Sequence, residues 1–458
     1  MLGLRRVLVV VLTLAISVLA SAPASAAQPH VFVSPQVAID WNLNAVNAVR
    51  GFTRPPGPPI FQVEGLIYVS YVQAAVYDAV MKISGRYVPY HSFSADAEDA
   101  SVEAAVIAAA YRTLVHFNFD VVVDGTTVTD KYNAAIAALP AAGKAQGIAV
   151  GEAAASDLIA LRATDGLNGV GTNCPYTASP LAPGVWQQSA ATAQTPWVAC
   201  MRPFLLRNAT QFRAAPPPAL DSTLYATELN EVKAYGALNS TVRTDDQKAT
   251  AYFWNGNAIS QYNDVLRATA IKHHMDLVDA VRLFAMGDMV ATDSGIACFD
   301  SKYHYLFWRP ITAIQHADID GNPATLADAS WTPLLPTPGH SEYPSAHGCL
   351  TTAFLQALAK DLHTKHIDVD IKGGTNGGTA LTATRHFDTV KAATSQIEDA
   401  RVWIGFHYRN SVVQGVKLGN DVARWTLNRY FRPARGGDGD NGNNGDNGDN
   451  GDNGDNED

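Results

Sequence analysis

The feature that most constrains the fold of this chain is a long, largely apolar stretch at residues 61–83, rich in Ala, Val and Tyr. It predicts a buried helix that ends near Gly85. Helical periodicity recurs, with few β-branched runs that alternate as a strand would, at residues 37–50, 99–117, 127–139, 143–163, 222–237, 244–253, 261–272 and 275–299. We therefore predict an all-α protein, built as one compact helical domain with two bundle-like halves.

The first 26 residues are organised as a secretory signal peptide. Arg5 and Arg6 precede an apolar run at 7–20, and small residues at 21–26 provide a cleavage site. The run is too short to span a bilayer comfortably, although an uncleaved anchor is the alternative. We expect a secreted protein whose mature chain begins near Ala27, with no later segment apolar enough to cross a membrane.

The last residues, 436–458, repeat Gly, Asp and Asn and have no apolar surface to bury, so we expect a disordered, solvated tail. The formal net charge is −10, and seven Asp and one Glu of this tail carry most of it. The folded domain at 27–435 is therefore close to neutral. It has no basic stripe of the kind that binds nucleic acid.

Four cysteines occur, and export makes disulfides permissible. Cys174 and Cys200 flank one loop rich in Pro and Gly and form a plausible pair. Cys298 and Cys349 lie in apolar helical surroundings, where we expect buried thiols. The Gly- and Pro-rich segment 166–218 is too long for a simple connector. We expect an ordered excursion over the surface, with a candidate role in lining the site entrance.

Three segments of the last third of the chain, 302–310, 343–348 and 400–409, supply the chemistry of a candidate oxyanion site. They contribute three cations, one hydroxyl and two imidazoles: Lys302, Arg309, Arg401, Ser345, His347 and His407. Cations neutralise an oxyanion, Arg adds bidentate hydrogen bonds, and a Ser hydroxyl with the next backbone amide, here that of Ala346, holds another oxygen. The two histidines remain for bonding and proton transfer.

The spacing within these segments carries two structural expectations. Lys302 and Arg309 are seven residues apart, which predicts two turns of one helix face with both head groups converging on one point. Arg401 and His407 flank an apolar run, where a buried Arg is costly without an anion. Isolated structural residues are the alternative explanation, which three segments with matching spacings disfavour.

The pattern Lys-(six residues)-Arg-Pro, Pro-Ser-Gly-His and Arg-(five residues)-His resembles that of the vanadium-dependent haloperoxidases and the type 2 acid phosphatases. Residues 40–42, 74–80 and 320–323 further resemble the secreted bacterial branch of the haloperoxidases. The resemblance covers roughly four-fifths of the mature chain, although only the three segments are specific. It implies a compact helical fold of the haloperoxidase type with the site in 299–431, and vanadate as the cofactor.

The resemblance also implies roles. His407 would bond the central atom, axially to vanadium in a haloperoxidase or as the nucleophile on phosphorus in a phosphatase. The oxygens would be held by Lys302, Arg309, Ser345, the amide of Ala346 and Arg401. His347 would be the acid–base residue, and Lys302 would polarise the peroxide. The implied partners are hydrogen peroxide, a halide that becomes hypohalous acid, and a small organic acceptor.

Departures from the family pattern help to choose among activities. The phosphatase pattern has Asp four residues after the nucleophilic His, where this chain has Ser411, and it has Ser at the position of Ala400. Both differences favour the haloperoxidase. Ala346 replaces the usual Gly, which places a methyl group at the pocket and would be strained at any positive φ.

Two further positions bear on the halide. His340 lies where chloroperoxidases carry Phe and bromoperoxidases carry His. Phe299 lies where the fungal chloroperoxidase type carries Trp. The leading hypothesis is thus a vanadate-dependent haloperoxidase that oxidises bromide or iodide. The alternatives are a secreted acid phosphatase acting through a phospho-histidine at His407, and an oxyanion-binding protein with little or no turnover.

Overall fold

Helices dominate the part of the chain that the structure describes. The computed structural model describes residues 32–53, 60–171, 174, 176–189, 193–373 and 383–434. The α-helices of these residues are α1 Gln36–Gly51, α2 Gln62–Ser84, α3 Val102–His116, α4 Val128–Ala138, α5 Lys144–Arg162, α6 Thr223–Gly236, α7 Asp245–Phe253, α8 Ala258–Lys272, α9 Leu277–Tyr305, α10 Pro310–Gln315, α11 Ala346–Asp361, α12 Val390–Trp403 and α13 Arg409–Leu427. The predicted helical class is confirmed, with Phe32–Arg435 as one compact unit. The expected signal peptide at 1–26 and the tail at 436–458 lie outside the described residues.

Two short antiparallel hairpins were not predicted. One pairs β1 (Val122–Val123) with β2 (Thr126–Thr127), and the other pairs β3 (His366–Lys372) with β4 (Thr384–Thr389). Buried and exposed residues alternate along β3, which packs against α8. That period of two is the signature of a half-buried strand, so the all-α prediction missed a signal that the sequence contains.

The centre of the fold is α9, a helix of 29 residues that is buried along almost its whole length. Asp276 caps its first turn, accepting from the Asp279 amide. The helix packs against α2 and α11, so that apolar helices surround it on several sides. It runs beyond the predicted end at 299 as far as Tyr305, which places Lys302 in its last turn.

The predicted buried helix is α2, which ends where expected. Gly85 follows it with φ +61°, and its amide donates to the Met81 carbonyl. None of the helices in the described ranges has both the length and the apolar content needed to cross a bilayer.

Close contact between α11 and α13 depends on glycine. A Cβ atom on Gly415 would lie 2.6 Å from the Ser345 carbonyl oxygen, so only glycine lets the two backbones approach this closely. The contact sets the first turn of α11 against α13. The residues at the start of both helices are thereby brought to one place.

The cysteine predictions had different outcomes. The pair Cys174–Cys200 is confirmed as a disulfide. The expectation of free thiols at Cys298 and Cys349 is wrong, because these two are also linked, joining α9 to α11. Their Cα atoms are 6.3 Å apart, which lies within the range that a disulfide spans. Their apolar neighbours indicated burial but not that the two helices face each other.

The described part of the excursion at 166–218 is ordered, as predicted, and is tied to the helices by buried polar groups. The Asp293 carboxylate on α9 accepts from the amides of Phe204, Leu205 and Leu206 at 2.6–2.7 Å. Arg162, at the end of α5, donates to the carbonyls of Arg202 and Pro203. These contacts hold the excursion beside the core.

Candidate functional site

The last turn of α9 delivers Lys302 into the interior, where its side chain is fully buried. Its Nζ atom donates to the carbonyl oxygens of Ser341 at 3.0 Å and Glu342 at 2.8 Å. An ammonium group has three N–H donors, so one remains for a ligand. Leu306, with φ 47°, then ends the helix.

Arg309 does not share a helix face with Lys302, and this prediction was wrong. The left-handed residue Leu306 turns the chain after Tyr305, and Arg309 becomes the N-cap of α10. The Arg309 side chain is nevertheless buried in the same site. The two head groups converge because the chain turns between them, and not because of helical spacing.

The Arg309 guanidinium connects several parts of the site. Its Nε atom donates to the His340 carbonyl and its Nη1 atom to the Phe406 carbonyl, both at 3.0 Å. A further Nη1 contact reaches Nε2 of His407 at 3.2 Å, and Nη2 lies 3.0 Å from Nδ1 of His340. Four of the five N–H donors are thus used, and one remains.

The segment 343–348 contributes the first turn of α11. Ser345 is its N-cap residue and is buried, Ala346 is the first helical residue, and His347 follows. Free amides at a helix N-terminus, together with the helix dipole, favour an anion. Ala346 has no positive φ. The expected backbone strain of Ala in place of Gly is therefore absent.

The segment 400–409 contributes the end of α12 and the turn that follows. Arg401 is buried in the last turn of the helix, and Gly405, with φ +84°, makes a turn that a residue with a side chain would adopt only with strain. This turn directs His407 back toward Arg309. The Arg401 Nη1 atom donates to the Trp254 carbonyl at 3.3 Å.

A carboxylate that the sequence analysis missed completes the site. Oε1 of Glu342 lies 2.8 Å from Nδ1 of His407 and is 3.3 Å from the Tyr408 amide. Glu342 is fully buried. It directly precedes the segment 343–348, so a buried acid next to the Pro-Ser-Ala-His motif was the available signal.

The electrostatics of the site are dominated by buried positive charge. Burial, and then the neighbouring cations, lowers the pKa of Lys302 well below its usual value, and burial followed by Arg309 lowers the pKa of Arg401 to about 9. Burial also lowers the pKa of Arg309, to about 10. In the described residues none of these three cations forms an ion pair with a carboxylate. Burial of this much positive charge is costly, so the cluster favours a bound anion.

The pKa values of the histidines and of Glu342 follow from the same causes. Burial and the surrounding cations lower the pKa of both His347 and His407 well below the usual value, so both rings are neutral at pH 7. Burial raises the pKa of Glu342 to about 7, against the effect of Lys302 and Arg309.

The residues fit an oxyanion such as vanadate or phosphate. Within the described residues, the buried atoms of the site without a hydrogen-bond partner include Ser345 Oγ, His347 Nε2, Arg401 Nε and Glu342 Oε2. Buried polar atoms are almost always satisfied in folded proteins, so an unsatisfied group of this kind marks a place for a ligand. The first three of these atoms belong to residues that the sequence analysis selected, in the segments 343–348 and 400–409.

The halide-selectivity candidates also lie at the site. Nδ1 of His340 lies 3.0 Å from Nη2 of Arg309 and 3.1 Å from the carbonyl oxygen of Ser341. The ring of His340 packs between Phe61 and Phe299, with centroid distances of 5.7 and 5.4 Å. His340 thus faces the cation cluster and not the solvent.

A cavity of about 690 Å³ opens onto these groups. Its lining includes Ala346, His347, Arg401 and His407, together with the half-buried aromatic residues Phe61 and Trp197. Trp197 belongs to the excursion at 166–218, whose residues 193–197 line the cavity. The candidate role of the excursion at the site entrance agrees with this placement.

Comparison with known proteins gives a consistent result. Residues 282–436 match the family model of the VCPO second helical-bundle domain. The vanadium chloroperoxidase of Curvularia inaequalis is 28% identical over 230 residues, which cover 38% of this chain. The matched segment spans 37% of that protein.

Two solved structures share the fold over nearly the whole chain. A bacterial vanadium-dependent iodoperoxidase aligns with a TM-score of 0.70 at 22% identity, covering 89% of this chain and 99% of that one. A holo-type bacterial vanadium-dependent chloroperoxidase aligns with a TM-score of 0.65 at 19% identity, covering 84% and 96%. This chain is thus similar in sequence to a vanadium chloroperoxidase over part of its length, and it shares the fold of bacterial vanadium haloperoxidases.

Proposed function

We propose that this chain is an enzyme, a vanadate-dependent haloperoxidase that oxidises a halide with hydrogen peroxide to hypohalous acid. The observation that carries the proposal is the cluster of three buried cations without a carboxylate ion pair, set around a neutral His407. The relatives named as vanadium chloroperoxidases and iodoperoxidase support the same class of reaction.

The residues that would hold vanadate follow from their unused donors. Oxygens of the anion would accept from the third N–H of Lys302, from Arg309 and Arg401, from Ser345 Oγ and from the Ala346 amide. Nε2 of His407 would bond the vanadium. Bound vanadate supplies a Lewis acid that makes peroxide a stronger oxidant of halide.

His347 is suited to moving the proton. Its ring is neutral, and its Nε2 atom lies in the cavity without a partner in the described residues. It can therefore accept a proton from hydrogen peroxide as the peroxide enters, and return it to an oxygen that leaves. Burial, followed by Arg401 and Lys302, lowers the pKa of His347, which keeps the ring unprotonated at pH 7.

Bromide or iodide is the proposed halide. His340 is buried beside Arg309, at the position where the resembling bromoperoxidases carry His. Phe299 packs on it, where the fungal chloroperoxidase type carries Trp. The apolar part of the cavity lining, including Phe61 and Trp197, supports a small organic molecule as the acceptor of the oxidised halogen.

Acid phosphatase activity through a phospho-histidine at His407 remains the second candidate, because one argument against it loses force. The Asp of the phosphatase pattern is absent at Ser411, but Glu342 places a carboxylate on Nδ1 of His407 instead. An oxyanion-binding protein without turnover is less favoured, since Ala346 is accommodated in a helical conformation.

One set of assays separates the three. Purified protein is loaded with orthovanadate and assayed with hydrogen peroxide, a phenol-based dye, and bromide, iodide or chloride in turn. The apo form is assayed with p-nitrophenyl phosphate. We expect bromide and iodide oxidation well above a His407→Ala control, with slower ester hydrolysis. Faster hydrolysis than halide oxidation would favour the phosphatase, and neither activity above the control would favour a binding protein.

Secretion is also part of the proposal. It is supported by the signal-peptide pattern of residues 1–26 and by the two disulfides, which form in oxidising compartments. N-terminal sequencing of protein recovered from the medium of an expressing bacterial culture tests it. The expected first residue is near Ala27, whereas an intact N-terminus in the membrane fraction would contradict export.

A further inference from the structure

We propose that Glu342 is the positioning residue of His407: its carboxylate holds the Nδ1 proton, so that the lone pair of Nε2 faces the cation pocket. The inference rests on the proposed function, because it concerns how strongly His407 can bond vanadium. It assigns to Glu342 a role that the motif spacing does not indicate.

The hydrogen-bond partners of His407 indicate which of its ring nitrogens carries the proton. Arg309 Nη1 lies 3.2 Å from Nε2, and a guanidinium can only donate. Nε2 therefore accepts. A neutral imidazole carries one ring proton, which must then lie on Nδ1, and Oε1 of Glu342 is its acceptor at 2.8 Å.

Glu342 is held in place by several hydrogen bonds. The Lys302 ammonium donates to the carbonyl of Glu342, and the Glu342 amide donates to the Phe307 carbonyl at 3.1 Å. The Tyr408 amide donates to Oε1. The carboxylate is thus fixed from the end of α9 and from the turn that carries His407, and the ring cannot rotate without losing this acceptor.

The Glu342 carboxylate would strengthen the bond between Nε2 of His407 and vanadium. A carboxylate on the far nitrogen raises the basicity of the ligating nitrogen and fixes the ring orientation, and loss of such a partner typically lowers metal affinity by about 10- to 100-fold. In Glu342→Gln an amide oxygen of similar size can still accept from Nδ1, but the negative charge is lost. We expect about a tenfold loss of vanadate affinity for this variant.

Binding of inorganic phosphate distinguishes a loss of His407 positioning from a general distortion of the pocket. Inorganic phosphate would be held in the pocket by the cations and the Ala346 amide without a bond to His407, whereas vanadate would also bond Nε2. Glu342→Gln should therefore weaken vanadate binding and leave phosphate affinity within about twofold, because Lys302 contacts the backbone carbonyl of Glu342, which the substitution keeps. A distorted pocket would weaken both anions.

The experiment titrates the apo protein with orthovanadate and, separately, with inorganic phosphate, by isothermal calorimetry and with ⁵¹V NMR for vanadate. The matched control is Glu228→Gln, which changes another buried carboxylate that accepts from the Asn410 amide outside the pocket. Both affinities of the control should equal those of the wild type. ¹⁵N NMR of the histidines in the apo wild type should show His407 protonated on Nδ1.

Each outcome decides the matter. A selective loss of vanadate affinity in Glu342→Gln supports the inference. Unchanged vanadate affinity, equal losses for both anions, or a proton on Nε2 in the apo wild type overturns it while leaving the proposed function standing. A wild type that binds no vanadate overturns the proposed function, and the inference with it.

Discussion

This protein has two clusters of buried charge, which differ in whether the chain itself supplies partners for the charges. In the first, Nε of Arg162 lies 2.7 Å from Oδ2 of Asp165, and the same guanidinium donates to two carbonyls of the excursion. Nearby, Asp293 receives three backbone amides. Every charge in this cluster finds its partner within the chain.

The second cluster is the candidate site, where Lys302, Arg309 and Arg401 are buried together and donate only to carbonyls and ring nitrogens. Burial, followed by neighbouring cations, lowers the pKa of Lys302 and of Arg401, and none of the three forms an ion pair with a carboxylate in the described residues. The difference teaches how to distinguish the two kinds of buried charge. A charge satisfied by the chain supports the fold, whereas a charge left unsatisfied by the chain requires a ligand.

The largest expected effect comes from breaking the satisfied cluster. Asp165→Asn leaves Arg162 as a buried cation without its ion-pair partner, which costs about 3–5 kcal/mol of unfolding free energy. Urea denaturation measures the loss. The control is Asp421→Asn, in an ion pair whose Arg424 side chain is largely exposed, where at most about 1 kcal/mol is expected. Equal costs for the two variants would contradict the distinction.

The next effect is the response of the site to its anion. Because vanadate would bind only the folded protein, a free concentration 100 times the dissociation constant should stabilise the apo protein by about 2.7 kcal/mol. Chemical denaturation with and without orthovanadate measures this shift. Stabilisation of the His407→Ala variant by the same amount at the same concentration would show that the anion binds elsewhere.

Removing one cation of the candidate site tests the same difference between the two clusters. Arg401→Met should weaken vanadate binding by about 1.5–3 kcal/mol, the usual worth of a hydrogen bond to a charged group. The unfolding free energy of the apo protein should stay equal or rise, because a buried charge is removed and its repulsion from Arg309 is relieved. A clear loss of apo stability would mean that Arg401 is structural, like Arg162.

The smallest effect is expected at Ala346. This residue begins α11 in a helical conformation, so Ala346→Gly should lower stability by no more than about 1 kcal/mol. Vanadate affinity should change by less than about twofold, since the amide donor is kept. Titration of both proteins tests this. A tenfold gain in affinity for the Gly variant would show that the methyl group obstructs the pocket.

Much of this architecture could be predicted from the sequence, because apolar periodicity marks helices such as α2 directly. The motif spacing also selected the residues that surround the pocket. It did not give the route of the chain between Lys302 and Arg309. That route depends on Leu306 in a left-handed conformation, which Leu rarely adopts, so no local signal announces the turn.

Other features depend on tertiary contacts that no local pattern encodes. Glu342 reaches His407 across 65 positions of sequence, and a family motif that places the acid after the histidine directs attention to Ser411 instead. The Cys298–Cys349 disulfide likewise required knowing that α9 packs against α11. The strand β3 is different, since its alternation was visible and was overlooked.

The central claim is that the unsatisfied cations and His407 form one vanadate pocket. A crystal of the protein soaked in orthovanadate tests it most directly. The account predicts density for one anion bonded to Nε2 of His407 and contacted by Lys302, Arg309 and Arg401. An empty pocket at saturating vanadate, or an anion bound away from His407, would contradict it.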